Sequence, residues 1–317
     1  MRVADNIGSG PEAALALDRL ARLVRIDRAT SEVMGALSAA GVRSMILKGP
    51  TTAHLLYPGE DRIYSDIDLL VEPVALDKAE EVASLLGFRP RAAPKGRLKA
   101  FLWRALEAEE RTFDRAKDHV TLDLHRSFHQ FPVKFNLLEA LWTTRQEMTL
   151  CGASVVGPDT VSIALLTVLH ATGANHPRSN RARLLEDLNR AVTKLPDEVW
   201  TELCARACDF GVARDVVGVL RECGGANGLR LVATTFRGIK PDRLVVAHLR
   251  TGSIAAYQLR RIQTYSWPQR TLWCLLPLFP WLRPTASAKG NASAAASGSR
   301  WWLWKDVWSM IVVCIRG

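Results

Sequence analysis

The sequence has no apolar run long enough to cross a lipid bilayer. A membrane-spanning helix needs about 20 predominantly apolar residues, but the apolar segment at 272–282 contains two prolines and the segment at 307–315 is too short. The start of the sequence also lacks the basic stretch and apolar core of a secretory signal. These absences predict a cytoplasmic protein without a transmembrane helix.

Cysteine is also scarce, with six residues in 317, and their spacing is not that of a zinc site. Cys204 and Cys208 lie about one helical turn apart, which is more typical of two small core residues than of a ligand pair. Reduced thiols fit the cytoplasm. We therefore assign the cysteines no chemistry.

Acidic residues are nearly absent from the last 90 residues. Residues 228–317 contain 13 Lys and Arg but two acids, so they account for the whole net charge of +10, and they hold seven of the ten tryptophans. Residues 287–299 have the Ala, Ser and Gly content of a flexible linker. In the tail at 300–317, apolar residues recur every three or four positions. The tail predicts peripheral binding to an anionic membrane or an acidic protein partner; alternatively, the tryptophans pack on the domain before them.

The rest of the chain has an ordinary globular composition. Overall it is 48% hydrophobic and 23% charged, which argues against disorder, and 317 residues suffice for two domains with a core. Helical spacing predicts two helices within residues 12–40 and further helices at 76–86, 159–172, 181–195 and 203–221. Strands are predicted at 88–90 and 153–156. Residues 89–99 form a basic loop that is either a solvated surface or a contact for a triphosphate.

Two carboxylates alternate with aliphatic residues at 65–71, in SDIDLLV. Side chains alternate between the faces of a β-strand, so Asp66 and Asp68 share one face and the aliphatic residues share the other. Two carboxylates about 7 Å apart repel each other unless a cation lies between them, and Mg²⁺ prefers oxygen ligands. The pattern favours a metal site; the alternative is an edge strand with its acids in water.

An apolar run before this strand ends in Lys48-Gly49-Pro50. Proline at the first helical position predicts a strand, a tight turn and a helix. A helix N-terminus can bind an anion, Gly49 would allow a phosphate to approach, and Lys48 would add positive charge. Alternatively, Gly49 and Pro50 only connect the strand to the helix.

A third acid lies in a predicted hairpin formed by residues 110–125. Thr121, Asp123 and His125 share one face of its second strand, and the alternate residues are apolar. His125 could hold Asp123 or a phosphate, or it could be a partly exposed strand residue. Three acids on neighbouring strands, with a turn that holds phosphate, suit two-metal phosphoryl or nucleotidyl transfer.

The motifs ILKG, LLY, SDIDLLV, TLDLHRSF and LLTVLHA...LLEDL together resemble the uncharacterised nucleotidyltransferases of the polymerase-β superfamily, over roughly residues 15–195. The resemblance implies that Asp66, Asp68 and Asp123 are the catalytic, metal-binding carboxylates. It also implies a nucleotide site. One departure is that Pro50 replaces the usual Ser after Gly. The resemblance implies that Lys48 and Gly49 bind the nucleotide and makes Arg183 and Asp187 candidates; alternatively, these two form a buried Arg–Asp pair in packed helices. Ser65 and His125 are the other predicted nucleotide-binding residues.

The resemblance and the patterns together predict an α+β fold, a polymerase-β-like core with a small mixed sheet followed by a mainly helical C-terminal half. The expected divisions are a catalytic domain at 1–157, a helical domain at 158–286, the linker at 287–299 and the tail at 300–317. The expected function is Mg²⁺-dependent transfer of a nucleotidyl or phosphoryl group from a nucleoside triphosphate to an acceptor hydroxyl. A peptide or small-molecule acceptor is preferred over nucleic acid. The alternative function is a non-catalytic binding or antitoxin-like module with the same fold.

Overall fold

The structure is a computed structural model, and it describes residues 11–91, 110–127, 137–173, 180–263 and 270–271. The chain divides into two compact units. The first contains residues 1–91, 110–126 and 141–163, and the second contains residues 92–109, 127–140 and 164–317. The predicted linker at 287–299, the tail at 300–317 and most of the basic loop lie outside the described residues.

A five-stranded sheet forms the centre of the first unit. Its strands are β1 (Ser44–Ile46), β2 (Asp66–Val71), β3 (Arg89–Pro90), β4 (Glu110–Arg115) and β5 (Val120–His125), in the spatial order β1-β2-β5-β4-β3. β2 and β5 are parallel and the other neighbours are antiparallel. The small mixed sheet and the hairpin are therefore confirmed. A separate two-stranded sheet pairs β6 (Gln146–Leu150) with β7 (Ala153–Gly157).

The direction of β1 differs from expectation. A strand, helix and strand in succession predict a parallel pair, but β1 and β2 are antiparallel, with Ser44 opposite Val71 and Ile46 opposite Leu69. The helix between them, α2 (Pro50–Leu56), has seven residues, so it is only about 10 Å long. The chain therefore enters β2 at the end of the sheet where it left β1. As a result, the turn after β1 lies beside the start of β2.

One long helix covers the apolar face of the sheet. α1 (Pro11–Ala39) runs without a break, so the prediction of two helices is wrong; after Pro11 the segment contains no proline to interrupt it. α3 (Leu76–Leu85) is confirmed and is followed by Gly87, whose φ is +87°. The core under these helices includes Ile26, Val33 and Leu37 of α1, Ile67, Leu69 and Val71 of β2, and Val120, Leu122 and Leu124 of β5.

Helices dominate the remaining residues that the structure describes, which confirms the predicted helical C-terminal half. Asn180 caps one of them by accepting a hydrogen bond from the Arg183 N–H, and Asp242 caps another through two backbone N–H groups. No helix in the described ranges has both the length and the apolar composition of a bilayer span. The helices are α4 (Leu137–Thr143), α5 (Thr160–Ala171), α6 (Arg181–Lys194), α7 (Asp197–Asp209), α8 (Ala213–Cys223), α9 (Gly225–Thr234), α10 (Arg243–Thr251) and α11 (Ile254–Ile262).

Candidate active site

The parallel pairing of β2 with β5 brings the predicted carboxylates together. Asp68 lies directly opposite Asp123, and Asp66 lies opposite Thr121. Neighbouring strands are about 4.8 Å apart, and residues two apart on a strand share a face. Asp66, Asp68 and Asp123 are therefore on one face of the sheet, opposite the face that α1 covers. We call these three residues the acidic face.

The acidic face is largely shielded from solvent. The side chain of Asp68 is 2% exposed, Asp123 is 9% exposed and His125 is 8% exposed. The alternative of an edge strand with its acids in water is therefore wrong, because β2 lies between β1 and β5. Asp66, at the first position of β2, is half-buried. Buried carboxylates need compensating charge or hydrogen bonds.

Two side chains supply that compensation at Asp68. The Lys48 Nζ lies 2.9 Å from Asp68 Oδ1, and the His125 Nε2 lies 3.1 Å from the same oxygen. Burial alone would raise the pKa of Asp68, but the charge of Lys48 and the hydrogen bond from His125 outweigh it and hold this pKa below its ordinary value. Asp68 is therefore an ionised carboxylate at neutral pH.

The turn after β1 positions Lys48. The Leu47 N–H donates a 3.0 Å hydrogen bond to the backbone oxygen of Asp68, which fixes the turn against β2. Gly49 has a φ of +73° and a ψ of −107°, a backbone conformation that residues other than glycine rarely adopt. A Cβ at this position would also lie 3.4 Å from the Tyr64 ring. Lys48 is thus the charged group that this turn brings to the acidic face.

Arg91 is a site residue that the sequence did not single out. Its guanidinium donates hydrogen bonds of 2.8 and 2.6 Å to the two carboxylate oxygens of Asp114, and one of 2.8 Å to the Thr121 hydroxyl. The bonds to Asp114 raise the pKa of Arg91 against the effect of burial, and the charges of Asp123 and Asp66 raise it further. The basic composition of residues 89–99 was the available signal, but the β3–β4 pairing decided which residue faces the acids.

Three other predicted residues have different positions. Ser65 is half-buried and directly precedes β2. Arg183 and Asp187 lie one turn apart on α6 in the second unit; Asp187 is buried, and the Arg183 Nε has no hydrogen-bond partner within the described chain. The predicted nucleotide contacts of these three residues remain predictions.

The acidic face offers the type of ligand atom that a hard cation binds. Carboxylate oxygens are the ligands that Mg²⁺ prefers, and Asp66, Asp68 and Asp123 provide them on adjacent strands. As the side chains stand, no group of three or more His, Cys, Asp or Glu residues in the described ranges is arranged to hold a metal. The ammonium of Lys48 supplies the positive charge at Asp68 instead.

Comparison with known proteins identifies the family of this chain. A family model described as an uncharacterised nucleotidyltransferase matches residues 18–224. The chain belongs to this nucleotidyltransferase family. No curated protein matches the chain.

Three solved structures are distantly similar to this nucleotidyltransferase-family chain. The antibiotic-resistance factor ANT(2'')-Ia is 16% identical, with 60% of this chain and 93% of that chain covered and a TM-score of 0.40. An antigenic nucleotidyltransferase-like protein from Paracoccidioides brasiliensis is 14% identical, with 60% and 91% covered and a TM-score of 0.38. A tRNA-processing enzyme is 14% identical, with 82% and 75% covered and a TM-score of 0.25. Similarity at this level carries no argument about substrate or mechanism.

Proposed function

We propose that the protein is a Mg²⁺-dependent nucleotidyltransferase that transfers a nucleotidyl or phosphoryl group from a nucleoside triphosphate to an acceptor hydroxyl. One observation carries the proposal: the register of β2 and β5 sets Asp68 opposite Asp123, with Asp66 two residues away on the same face. Family membership supports the same reaction class.

Each carboxylate has a proposed role. Asp66 and Asp68 would hold Mg²⁺, which polarises phosphoryl oxygens and offsets the charge that develops on them. Asp123, opposite Asp68, would accept the proton of the acceptor hydroxyl as its oxygen bonds to phosphorus. The bond that breaks would release pyrophosphate in nucleotidyl transfer, or the nucleoside diphosphate in phosphoryl transfer. The strands hold all three carboxylates in place before substrate binds, so little reorganisation is needed during the reaction.

Positive charge on two sides of the acidic face would hold the triphosphate. Lys48 enters from the turn after β1, and Arg91 enters from the end of β3. The Asp114 carboxylate holds the Arg91 guanidinium in a fixed orientation through Nε and Nη2, and the remaining nitrogen, Nη1, would contact phosphate. Gly49, Ser65 and His125 would complete the nucleotide contacts. Arg183 and Asp187 are proposed as further nucleotide-binding residues.

The proposed acceptor is a peptide or small-molecule hydroxyl rather than nucleic acid. The net charge of +10 comes from residues 228–317, and the residues before them are close to neutral in total. Because nucleic acids bind mainly through positive charge, we prefer the smaller acceptors. We propose a cytoplasmic location for the reaction, with the tail at 300–317 attaching the protein to an anionic membrane or an acidic partner.

A non-catalytic binding module is the second candidate, and two observations favour it. Lys48 neutralises Asp68, and Pro50 stands where the superfamily usually has Ser. A module of this kind would keep the fold and bind a partner without binding a metal–triphosphate complex.

Calorimetric titration of ATP or GTP, with and without Mg²⁺, separates the two candidates. We expect the wild-type protein to bind a triphosphate only with Mg²⁺ and the double variant Asp66→Asn, Asp68→Asn not to bind. The matched control is Asp18→Asn with Asp77→Asn, which removes the same charge from exposed positions of the first unit and should bind as wild type does. Absence of metal-dependent binding to any triphosphate would leave the binding module as the better function.

A further inference from the structure

The ion pair at the acidic face joins two groups with very different access to solvent. The Asp68 side chain is 2% exposed, whereas the Lys48 side chain is 35% exposed. Asp68 is held in the middle of β2, between β1 and β5. Lys48 lies in a turn, at the end of a flexible four-carbon side chain. Lys48 can therefore leave the pair, while Asp68 cannot.

Asp68 is also one of the two carboxylates to which the proposed function assigns the metal. A divalent cation at this carboxylate would lie close to the Lys48 ammonium, and two positive charges at such a distance repel each other, the more so because the Asp68 side of the pair is buried. Metal binding and the Lys48–Asp68 ion pair are therefore alternatives. A metal that arrives alone has to displace Lys48 into solvent.

The other two side chains that donate hydrogen bonds at the site, His125 and Arg91, do not present the same conflict. His125 is 8% exposed and is fixed on β5, and a neutral imidazole can donate to Asp68 without adding charge. Arg91 already has the Asp114 carboxylate as a bidentate partner. The partner of Lys48, in contrast, is Asp68, which is itself a proposed metal ligand.

We propose that Lys48 is an exchangeable counter-ion, which occupies Asp68 in the absence of metal and moves to the phosphates when Mg²⁺ and a nucleoside triphosphate bind together. This inference rests on the proposed function. It makes metal and triphosphate binding cooperative, because the triphosphate gives Lys48 a new anionic partner and thereby clears Asp68 for the metal. Linkage requires the effect to be reciprocal: each ligand raises the affinity for the other by the same factor.

The proposal makes opposite predictions for two affinities of the Lys48→Met variant. Without nucleotide, Mn²⁺ no longer competes with an ammonium, so its affinity should rise by roughly fivefold or more over wild type, at the lower end of typical coupling factors. The gain in triphosphate affinity that Mg²⁺ produces should be smaller than in the wild type, because only the direct contact of the metal with the phosphates remains to couple the two ligands. A lysine that only bound phosphate would lower triphosphate affinity and leave the affinity for Mn²⁺ alone unchanged.

The experiment uses the full-length chain and two direct measurements. Mn²⁺ binding without nucleotide is followed by the loss of the free-ion electron paramagnetic resonance signal. ATP binding is measured by calorimetry in EDTA and in saturating Mg²⁺. Lys117→Met is the matched control, because Lys117 forms an ion pair with Glu32 of α1 at 3.5 Å and should leave both affinities unchanged. Lys48→Gln keeps a polar side chain and is the second variant if Lys48→Met folds poorly.

The outcomes separate this inference from the function on which it rests. Tighter Mn²⁺ binding together with a smaller Mg²⁺ effect on ATP supports the exchange. Equal or weaker Mn²⁺ binding by both Lys48 variants overturns the exchange, although a Mg²⁺-dependent wild type would still support the nucleotidyltransferase. If Asp66→Asn, Asp68→Asn on the Lys48→Met background retains Mn²⁺ binding, the metal lies elsewhere and both proposals fail.

Discussion

Lys48 and Asp68 form an ion pair, and removal of the Lys48 ammonium should destabilise the first unit more than removal of the Asp68 charge. Lys48→Met leaves a carboxylate that is 2% exposed without its ammonium. Breaking a fully buried pair costs about 3–5 kcal/mol. Here the cost is lower, about 1–3 kcal/mol, because Lys48 is partly solvated and its attraction is screened, and because His125 still donates to Asp68.

Asp68→Asn should behave differently although it breaks the same ion pair. The amide has the shape of the carboxylate, its oxygen can still accept from His125, and the freed Lys48 can return to water. The variant also avoids the desolvation of a buried charge. We expect a change in the free energy of unfolding within about 1 kcal/mol of zero, since the cost of breaking a buried pair comes from the buried charge that is left behind, and here none is left.

The double variant completes a thermodynamic cycle. Lys48→Met with Asp68→Asn should be more stable than Lys48→Met alone, because no buried charge remains, and the coupling energy should be about 1–2 kcal/mol. Native-state hydrogen exchange of peptides that cover β2 reports the stability of this unit separately from the second one. The asymmetry would be refuted if the two single variants lost the same free energy of unfolding and these losses added in the double variant. The Lys48–Asp68 ion pair would then contribute little to stability.

Three further changes have expected outcomes. Gly49→Ala forces a side chain into positive φ against the Tyr64 ring and should cost about 1–3 kcal/mol, seen as a lower melting temperature. Asn180→Ala removes the cap of α6 and should cost about 0.5–2 kcal/mol, seen as faster hydrogen exchange in its first turn. Arg260→Met leaves the buried Asp215 without its bidentate partner, and urea unfolding should show a loss of about 3–5 kcal/mol at neutral pH. Burial raises the pKa of Asp215, and the bonds from Arg260 reduce this rise without cancelling it, so loss of Arg260 raises the pKa further. The folded variant should therefore bind a proton more tightly than the unfolded chain, so its stability should fall as pH rises above about 4; a variant with the same pH profile as wild type would contradict this.

Much of the fold could be predicted because it follows from local patterns. The alternation in residues 65–71 predicted that the aliphatic residues of β2 enter the core, and they do. Gly87 predicted the end of α3, and the hairpin of β4 and β5 followed from two short alternating runs. The single long α1 was missed, because helical periodicity marks which residues face the core but not where a helix ends when no proline or cap interrupts it.

The candidate site could be predicted only in part. The sequence predicted that Asp66, Asp68 and Asp123 act together as metal-binding carboxylates. It also predicted that β1 is parallel to β2 and that Lys48 binds phosphate. The antiparallel pairing instead set the turn after β1 against Asp68. Arg91 was one of several basic residues in its loop, and only the pairing of β3 with β4 distinguished it.

The sequence by itself determined which side chains share a face of each strand and where glycine permits the turn at 49, because these properties depend on backbone geometry over a few residues. The tertiary structure decided which faces meet. Asp68 and Asp123 are 55 positions apart in the chain, and their pairing depends on a register that the packing of α1 and the core sets for the whole sheet. The same packing buries Asp68 and makes Lys48 its counter-ion, and no local pattern contains that information.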